Sequence, residues 1–203
     1  GDVRRFMRPH FLARHGLATM DASRWAGVEA LKDVGKIRPP MKPYHVGFIL
    51  GPRLNAAGRV QSAERAARLL LTDDADEAGR LAADLDRLNR ERQGVEKEIV
   101  KAARDQLEAR GDPADSRALV VAGEGWAQGV VGIVASRLAA AYNRPAVVVS
   151  LDGGRGRGSC RSVEGFDLLG GLTACADHLL EYGGHRMAAG LEIRPGESVR
   201  AVL

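Results

Sequence analysis

Apolar residues recur with two different periods, and the change of period divides the chain. Leu81, Leu85, Leu88, Val95, Ile99 and Ala102 fall at spacings of 4, 3, 7, 4 and 3, with Asp, Glu and Arg filling the remaining positions. That spacing lines one face of a helix, so a long amphipathic helix is predicted, opened by Thr72-Asp73-Asp74 as capping residues and ending near Arg110-Gly111. A shorter helix is predicted over 62–71, and short helices within 11–35. After Asp112-Pro113 the pattern becomes short β-branched runs between helical ones. A strand over 117–122, a loop over 123–129, a helix over 130–142 and a strand over 146–150 make a βαβ unit, whose crossover sets its two strands parallel. Asp152-Gly153-Gly154 predicts a turn into a strand over 157–162, followed by a helix over 167–182 and a last strand over 189–193. The fold class is therefore α/β: a small mixed sheet of four to five strands with flanking helices, preceded by a long connecting helix.

Composition narrows the class further. The 203 residues are 45% hydrophobic and 28% charged, enough apolar material for a core, and the 25 glycines follow no three-residue repeat. No apolar run approaches the ~20 residues of a membrane span, which leads to the expectation of a cytoplasmic protein without a membrane partner. Cys160 and Cys175 form neither a disulfide framework nor a zinc motif and read as small buried side chains. The net charge of +4 is unevenly placed: residues 1–60 carry 11 Lys+Arg against 4 Asp+Glu, residues 61–117 carry 11 against 14, and residues 118–203 carry 8 of each. An anionic partner is permitted by that distribution. Residues 1–60 are rich in Arg, Gly and Pro with few large apolar side chains, and read as the end of a larger unit.

Three glycine-linked runs combine small residues with groups that bind phosphate. In Gly51-Pro-Arg-Leu-Asn-Ala-Ala-Gly-Arg59, two guanidiniums (Arg53, Arg59) and an amide (Asn55) stand among glycines that let an anion approach the backbone. The same run also suits a tight turn before a helix, with both arginines solvated. In Gly156-Arg-Gly-Ser-Cys-Arg-Ser162, strand alternation puts Ser159 and Arg161 on one face, about 7 Å apart, and Cys160 and Ser162 on the other. One face is then polar and cationic, suited to a phosphate and its neighbouring sugar or to water at a sheet edge. The third run is Tyr182-Gly-Gly-His-Arg-Met-Ala-Ala-Gly190. One of Gly183 and Gly184 serves there as the left-handed cap of the predicted helix, leaving His185 to donate to a phosphoryl oxygen, to act in proton transfer, or to be structural.

Other chemistries find little support. A two-metal phosphodiesterase needs a carboxylate and His cluster holding ions ~3.5–4 Å apart, whereas His10, His15, His45, His178 and His185 are scattered. His178 reads as a helix-surface residue. Gly123-Glu-Gly-Trp-Ala-Gln-Gly129 is not in dinucleotide-binding register, although phosphate binding at the following helix N-terminus stays open.

Taken together, Gly51–Arg59, Trp126-Ala-Gln-Gly-Val-Val-Gly-Ile-Val-Ala-Ser-Arg-Leu138, Gly158-Ser-Cys-Arg-Ser162 with Gly165-Phe-Asp-Leu168, and Gly183-Gly-His-Arg-Met-Ala-Ala-Gly190 resemble the RecJ-like 5′→3′ single-strand DNA exonucleases of the DHH phosphoesterase superfamily. The likeness covers about residues 10–195. It implies that residues 1–60 are the incomplete end of a DHH metal domain, 61–112 connecting helices and 113–203 a DHH-associated substrate-binding domain. It implies two Mn²⁺ or Mg²⁺ ions held by the missing N-terminal domain, with none bound by this chain, so that the chain alone is inactive. By the same resemblance Arg53, Asn55 and Arg59 lie near the mouth of a nucleic-acid groove, and Ser159, Arg161 and Ser162 engage the 5′ phosphate or backbone. Gly183, Gly184 and His185 cradle the scissile phosphate, His185 as the catalytic residue. Implied partners are single-stranded DNA, the missing DHH domain, and a single-strand-binding protein or helicase. Two alternatives are an oligonucleotide or cyclic-dinucleotide phosphodiesterase of the same superfamily and a non-catalytic nucleic-acid-binding module. One departure is Ala127, where such proteins usually carry His.

Overall fold

The computed structural model describes residues 3–60 and 62–193. By contact the chain divides into two compact units, Gly1–Arg92 and Gln93–Leu203, and one long helix contributes to both.

The first unit is all helical: α1 (Val3–Asp21), α2 (Ala26–Val34), α3 (Gly51–Val60), α4 (Glu64–Leu71) and the first part of α5 (Ala75–Glu108). A π-helical turn, His45–Leu50, runs directly into α3. Its core joins Leu31, Met41, Leu50, Ala56 and Ala57 to Leu69 of α4 and to Leu85 and Leu88 of α5. Residues 1–60 thus gain from α4 and α5 the large side chains they lack themselves. The run Gly51–Arg59 is a helix, which corrects its reading as an exposed phosphate-binding loop or tight turn. Pro52 fits the first helical turn, Ala56 and Ala57 are fully buried, and most of its amides serve helical hydrogen bonds.

Helix α5 begins where its capping residues predict. The Asp74 carboxylate accepts from the amides of Asp76 and Glu77, and these bonds hold its pKa below the ordinary carboxylate value. The buried stripe differs from the apolar spacing, since Val95 is exposed while Asn89, Arg92 and Glu96 are buried. Glu96 forms an ion pair with Arg137, which keeps a buried carboxylate partnered.

The second unit is a five-stranded sheet of order β1-β2-β3-β5-β4, with β1 Leu119–Glu124, β2 Ala146–Asp152, β3 Arg155–Arg161, β4 Leu179–Gly184 and β5 Ala188–Ile193. β1 and β2 are parallel across α6 (Gln128–Tyr142), as the βαβ pattern predicts, and the remaining pairings are antiparallel. Asp152 pairs with Arg155 around Gly153 and Gly154, both with positive φ, which is the two-residue hairpin the glycine pair predicts. The predicted helix over 167–182 is not formed. A short α7 (Leu168–Ala174) and a 3₁₀ turn (Ala176–His178) lead into β4, so Gly183 and Gly184 belong to a strand and cap no helix.

Strand alternation sends the sheet's side chains to two cores. Leu119, Val121, Ala146 and Val148 meet Val130, Val134 and Leu138 of α6 and Ile99, Ala103 and Leu107 of α5. On the opposite face Val147, Val149, Cys160, Leu191 and Ile193 meet Leu168 and Leu172 of α7. Among the described residues no helix is long and apolar enough to cross a membrane.

Candidate nucleic-acid interface

The candidate interface lies on the α6 face of the sheet and runs from β3, which α6 partly covers, out to β5 and β4. Strand β3 places Arg157, Ser159 and Arg161 on this face, while Cys160 is buried in the opposite core. Helix α6 approaches β3 where it has a glycine: a Cβ on Gly132 would lie 3.2 Å from Arg161 Nη2 and 3.3 Å from Ser159 Oγ. The Arg161 guanidinium is steadied by Nη1 donating to the Cys160 carbonyl at 2.8 Å. Ala127 precedes α6 and offers no side-chain cap, so this helix start gets no capping oxygen from its own N-cap residue.

A cavity of about 530 Å³ lies over β3, β5 and β4. Ser159, Gly190 and Gly183 form one row across its floor, Gly190 being the register partner of both. A Cβ on Gly183 would meet nothing within 4 Å, and one on Gly190 only the Gly158 carbonyl oxygen at 3.7 Å. The floor is therefore bare backbone, open enough for a sugar-phosphate chain to lie on it. Gln128 and Val131 of α6 form one wall. At the other end Arg157 pairs with Glu192 at 3.4 Å, and Glu192 is the register partner of Glu181. The cavity thus has hydroxyl and guanidinium groups toward Ser159 and Arg161, and carboxylates toward Glu181 and Glu192.

The structure brings some of the sequence-predicted residues together. Ser159 and Gly183 line the cavity, and Arg161 stands two positions beyond Ser159 on the same face. Ala188, the register partner of Arg161, accepts the His185 amide at 2.8 Å, so both residues lie at the same end of the sheet, with His185 exposed in the β4–β5 turn. The Ser162 hydroxyl is engaged in its own turn, donating to the Phe166 carbonyl at 2.9 Å. Gly184 is required by the hairpin: its φ is +150°, and a Cβ there would lie 2.4 Å from the Ala188 carbonyl oxygen. Arg53, Asn55 and Arg59 belong to the first unit. The Arg53 guanidinium bonds Asp86 through Nε at 2.9 Å and Nη2 at 2.8 Å and donates to the Ile49 carbonyl, whereas Asn55 and Arg59 are exposed on α3.

Sequence reasoning missed Gly132, Gly190, Gln128 and the Glu181–Glu192–Arg157 end. For Gly190 a signal existed, since Ala188, Gly190 and Glu192 alternate in phase with β3. Cys160 offers no nucleophile: burial pushes its thiol pKa up to about 12, against a weaker opposing pull from the Arg161 charge. Among the described residues no group of three or more His, Cys, Asp or Glu side chains could hold a metal ion.

Residues 115–203 match the DHHA1 domain family. The single-stranded-DNA-specific exonuclease RecJ of Bacillus subtilis is 46% identical over 151 residues, covering 73% of this chain and 19% of the relative. RecJ of Thermus thermophilus is 40% identical over 179 residues, covering 88% and 25%. The chain thus spans a quarter or less of the length of these two curated relatives. The crystal structure of RecJ from Thermus thermophilus in complex with Mg²⁺ superposes with a TM-score of 0.79 at 39% identity, over 90% of this chain and 28% of that one. A crystal structure of exonuclease RecJ bound to manganese gives 0.80 at 37%, over 95% and 47%. Over most of its length the chain is thus similar to part of the RecJ-like proteins of the DHH superfamily, and residues 115–203 match their DHHA1 domain.

Proposed function

We propose that this chain is the strand-gripping part of a metal-dependent exonuclease that degrades single-stranded DNA from the 5′ end. The observation that carries the reading is the bare glycine floor beside Ser159 and Arg161. Single-stranded nucleic acid presents a phosphate every nucleotide, and a floor without side chains lets that backbone approach main-chain amides. Ser159 donates its hydroxyl and Arg161 its guanidinium to one phosphate, the latter as a charge-assisted bond. The Gly183–Gly190 row carries the next stretch of backbone, and His185 donates to a phosphoryl oxygen at the end where β4 turns into β5. Arg59 and Asn55 serve the strand from the first unit, while Arg53, engaged with Asp86, shapes its surroundings.

Residues 1–60 are read as the end of a metal domain, 61–112 as connecting helices and 113–203 as the substrate-binding domain. Divalent metal in such an enzyme supplies the charge that activates the attacking water. In this reading the metal is held outside this chain, whose residues bind and orient the strand. Cytoplasmic placement and contact with a single-strand-binding protein or helicase belong to the same proposal.

The test measures binding of 3′-labelled oligo-dT to the chain across a salt series. Arg161→Ala should weaken binding and reduce the slope of log K against log salt by roughly 0.7 for the phosphate contact it removes. An unchanged slope would remove Arg161 from the interface. A nuclease assay with Mn²⁺ on this chain and on a form extended upstream should give cleavage only in the extended form. Dinucleotides competing as well as long strands would favour the short-oligonucleotide alternative.

A further inference from the structure

The first unit carries a feature that the phosphate-binding reading does not use. Tyr44 stands at the start of the π-helical turn and Phe48 within it, their ring centroids 5.2 Å apart and their planes 18° from parallel. Tyr44 is 60% exposed and Phe48 72%. Phe11 and Trp25 are as exposed, but among the described residues Tyr44 and Phe48 are the exposed pair of Phe, Trp or Tyr rings stacked on each other.

This segment is held from behind. Leu50 is buried in the first unit's core, the Ile49 carbonyl accepts from Arg53 Nη1 at 2.8 Å, and Arg53 is anchored on Asp86. His45 meets the Tyr44 ring edge-on at 6.2 Å, and its Nδ1 accepts the Lys42 amide at 3.2 Å. The ring pair is therefore fixed in place, with its side chains outside the core.

Charge selects the ligand. Residues 34–63 contain no Asp or Glu and include Lys36, Arg38, Lys42 and Arg59, besides Arg53, whose charge is met by Asp86. Lys36, Arg38 and Lys42 are exposed. Exposed flat aromatic rings in a stretch of chain that carries exposed cations and no carboxylate complement a polyanion whose monomers carry planar bases. A protein partner would need apolar surface more than cations. We propose that Tyr44 and Phe48 form a stacking platform for the bases of a single-stranded nucleic acid, with Arg53 as the positioning residue beneath it. The proposal rests on the reading that the chain's ligand is single-stranded nucleic acid, and it assigns the bases to a place separate from the phosphate site on the sheet.

The test compares the 203-residue chain with Phe48→Leu, Tyr44→Leu and Phe48→Trp, binding 3′-labelled oligo-dT and an abasic strand of equal length and charge. Each Leu variant should lose about fivefold to a hundredfold in affinity for oligo-dT. The abasic strand should bind the native chain and the Leu variants alike, the salt slope should stay unchanged, and Phe48→Trp should keep native affinity. Native affinity in both Leu variants, with Arg161→Ala still weakening binding, would overturn the platform and leave the phosphate site standing. Equal losses for oligo-dT and abasic strand would overturn stacking as the cause. Self-association of the native chain relieved by Phe48→Leu, with DNA affinity unchanged, would assign the rings to a protein contact and overturn the proposal. If no variant at either place alters binding, the nucleic-acid reading itself fails.

Discussion

One face of the five-stranded sheet has two halves that share a backbone and differ in almost everything else. Over β1 and β2 it presents Leu119, Val121, Ala146 and Val148, all fully buried under α6 and α5. Over β3, β5 and β4 it presents Arg157, Ser159 and Arg161, then Gly190 with Glu192, then Glu181 with Gly183. The hydrogen-bonded ladder runs through both halves, so pairing alone does not decide which is covered. Side chains decide it: the apolar row is covered by helices because burying each large apolar residue contributes roughly 1.5–3 kcal/mol, whereas α6 reaches no further than β3 and the Gly190–Gly183 row beyond it stays open. The fold leaves a cavity next to this core because Gly183 and Gly190 carry no side chains there.

Under the proposed function the covered half carries stability and the open half carries binding. The largest expected effect is in the first. Leu138 of α6 has no exposed surface and lies in the cluster with Leu119, Val121 and Val148, so Leu138→Ala should cost about 2–5 kcal/mol, read from a urea unfolding curve. A loss below about 1 kcal/mol would mean that α6 is held on the sheet by something other than apolar burial.

The converse substitution belongs on the bare floor. Gly190→Val places a side chain where the nearest neighbour of its Cβ is a carbonyl oxygen at 3.7 Å, and valine suits a strand better than glycine. Stability should change by no more than about 1 kcal/mol while oligo-dT affinity falls about tenfold or more, since one blocked phosphate contact is worth a charge-assisted hydrogen bond. Gly184→Ala is the control in the same hairpin. Its Cβ would run into the Ala188 carbonyl, so there the loss should appear in stability first. Native affinity in Gly190→Val would show that the strand does not lie on this floor.

The covered half could be read from the sequence and much of the bare half could not, for the same physical reason. The β-branched runs over 117–122 and 146–150, with a helical period between them, announce a βαβ unit because burial imposes the period. Strand β4 has Leu179 buried and its next five residues exposed, so no alternation marks it. Leu168, Leu169, Leu172, Leu179 and Leu180 instead imitate one helical stripe, and Gly183-Gly184 then imitates its cap. Alternation within β3 did place Ser159 and Arg161 on one face. The role of Gly132 depends on a β3 side chain 27 positions away, and only the folded contact reveals it. In α3 the reverse happened: Gly51, Pro52, Asn55 and Gly58 read as loop, yet burial of Ala56 and Ala57 against α4 and α5 makes the run helical. In α5 the buried stripe passes through Asn89, Arg92 and Glu96, so an apolar pattern could not follow it there.

The smallest expected effect separates apolar cover from polar sealing in the covered half. β1 is an edge strand whose outer groups meet side chains of α5 and of the turn that follows it: Gln106 Nε2 of α5 donates to the Ala122 carbonyl at 2.8 Å, its Oε1 accepts the Ala122 amide at 3.4 Å, and Arg110, just beyond α5, donates to the Val120 carbonyl at 2.6 Å. These bonds occupy groups with which another strand would pair, whereas β4, the opposite edge, leaves Leu180 and Tyr182 exposed. Gln106→Leu keeps the apolar stem and removes both bonds. It should cost about 1 kcal/mol, near the worth of one net hydrogen bond plus partial exposure of the Ala122 amide, and amide exchange at Ala122 should quicken while that of Val148 stays slow. If exchange quickens equally at both, the seal and the apolar cover open as one unit, and the covered half owes its order to α5 as much as to α6.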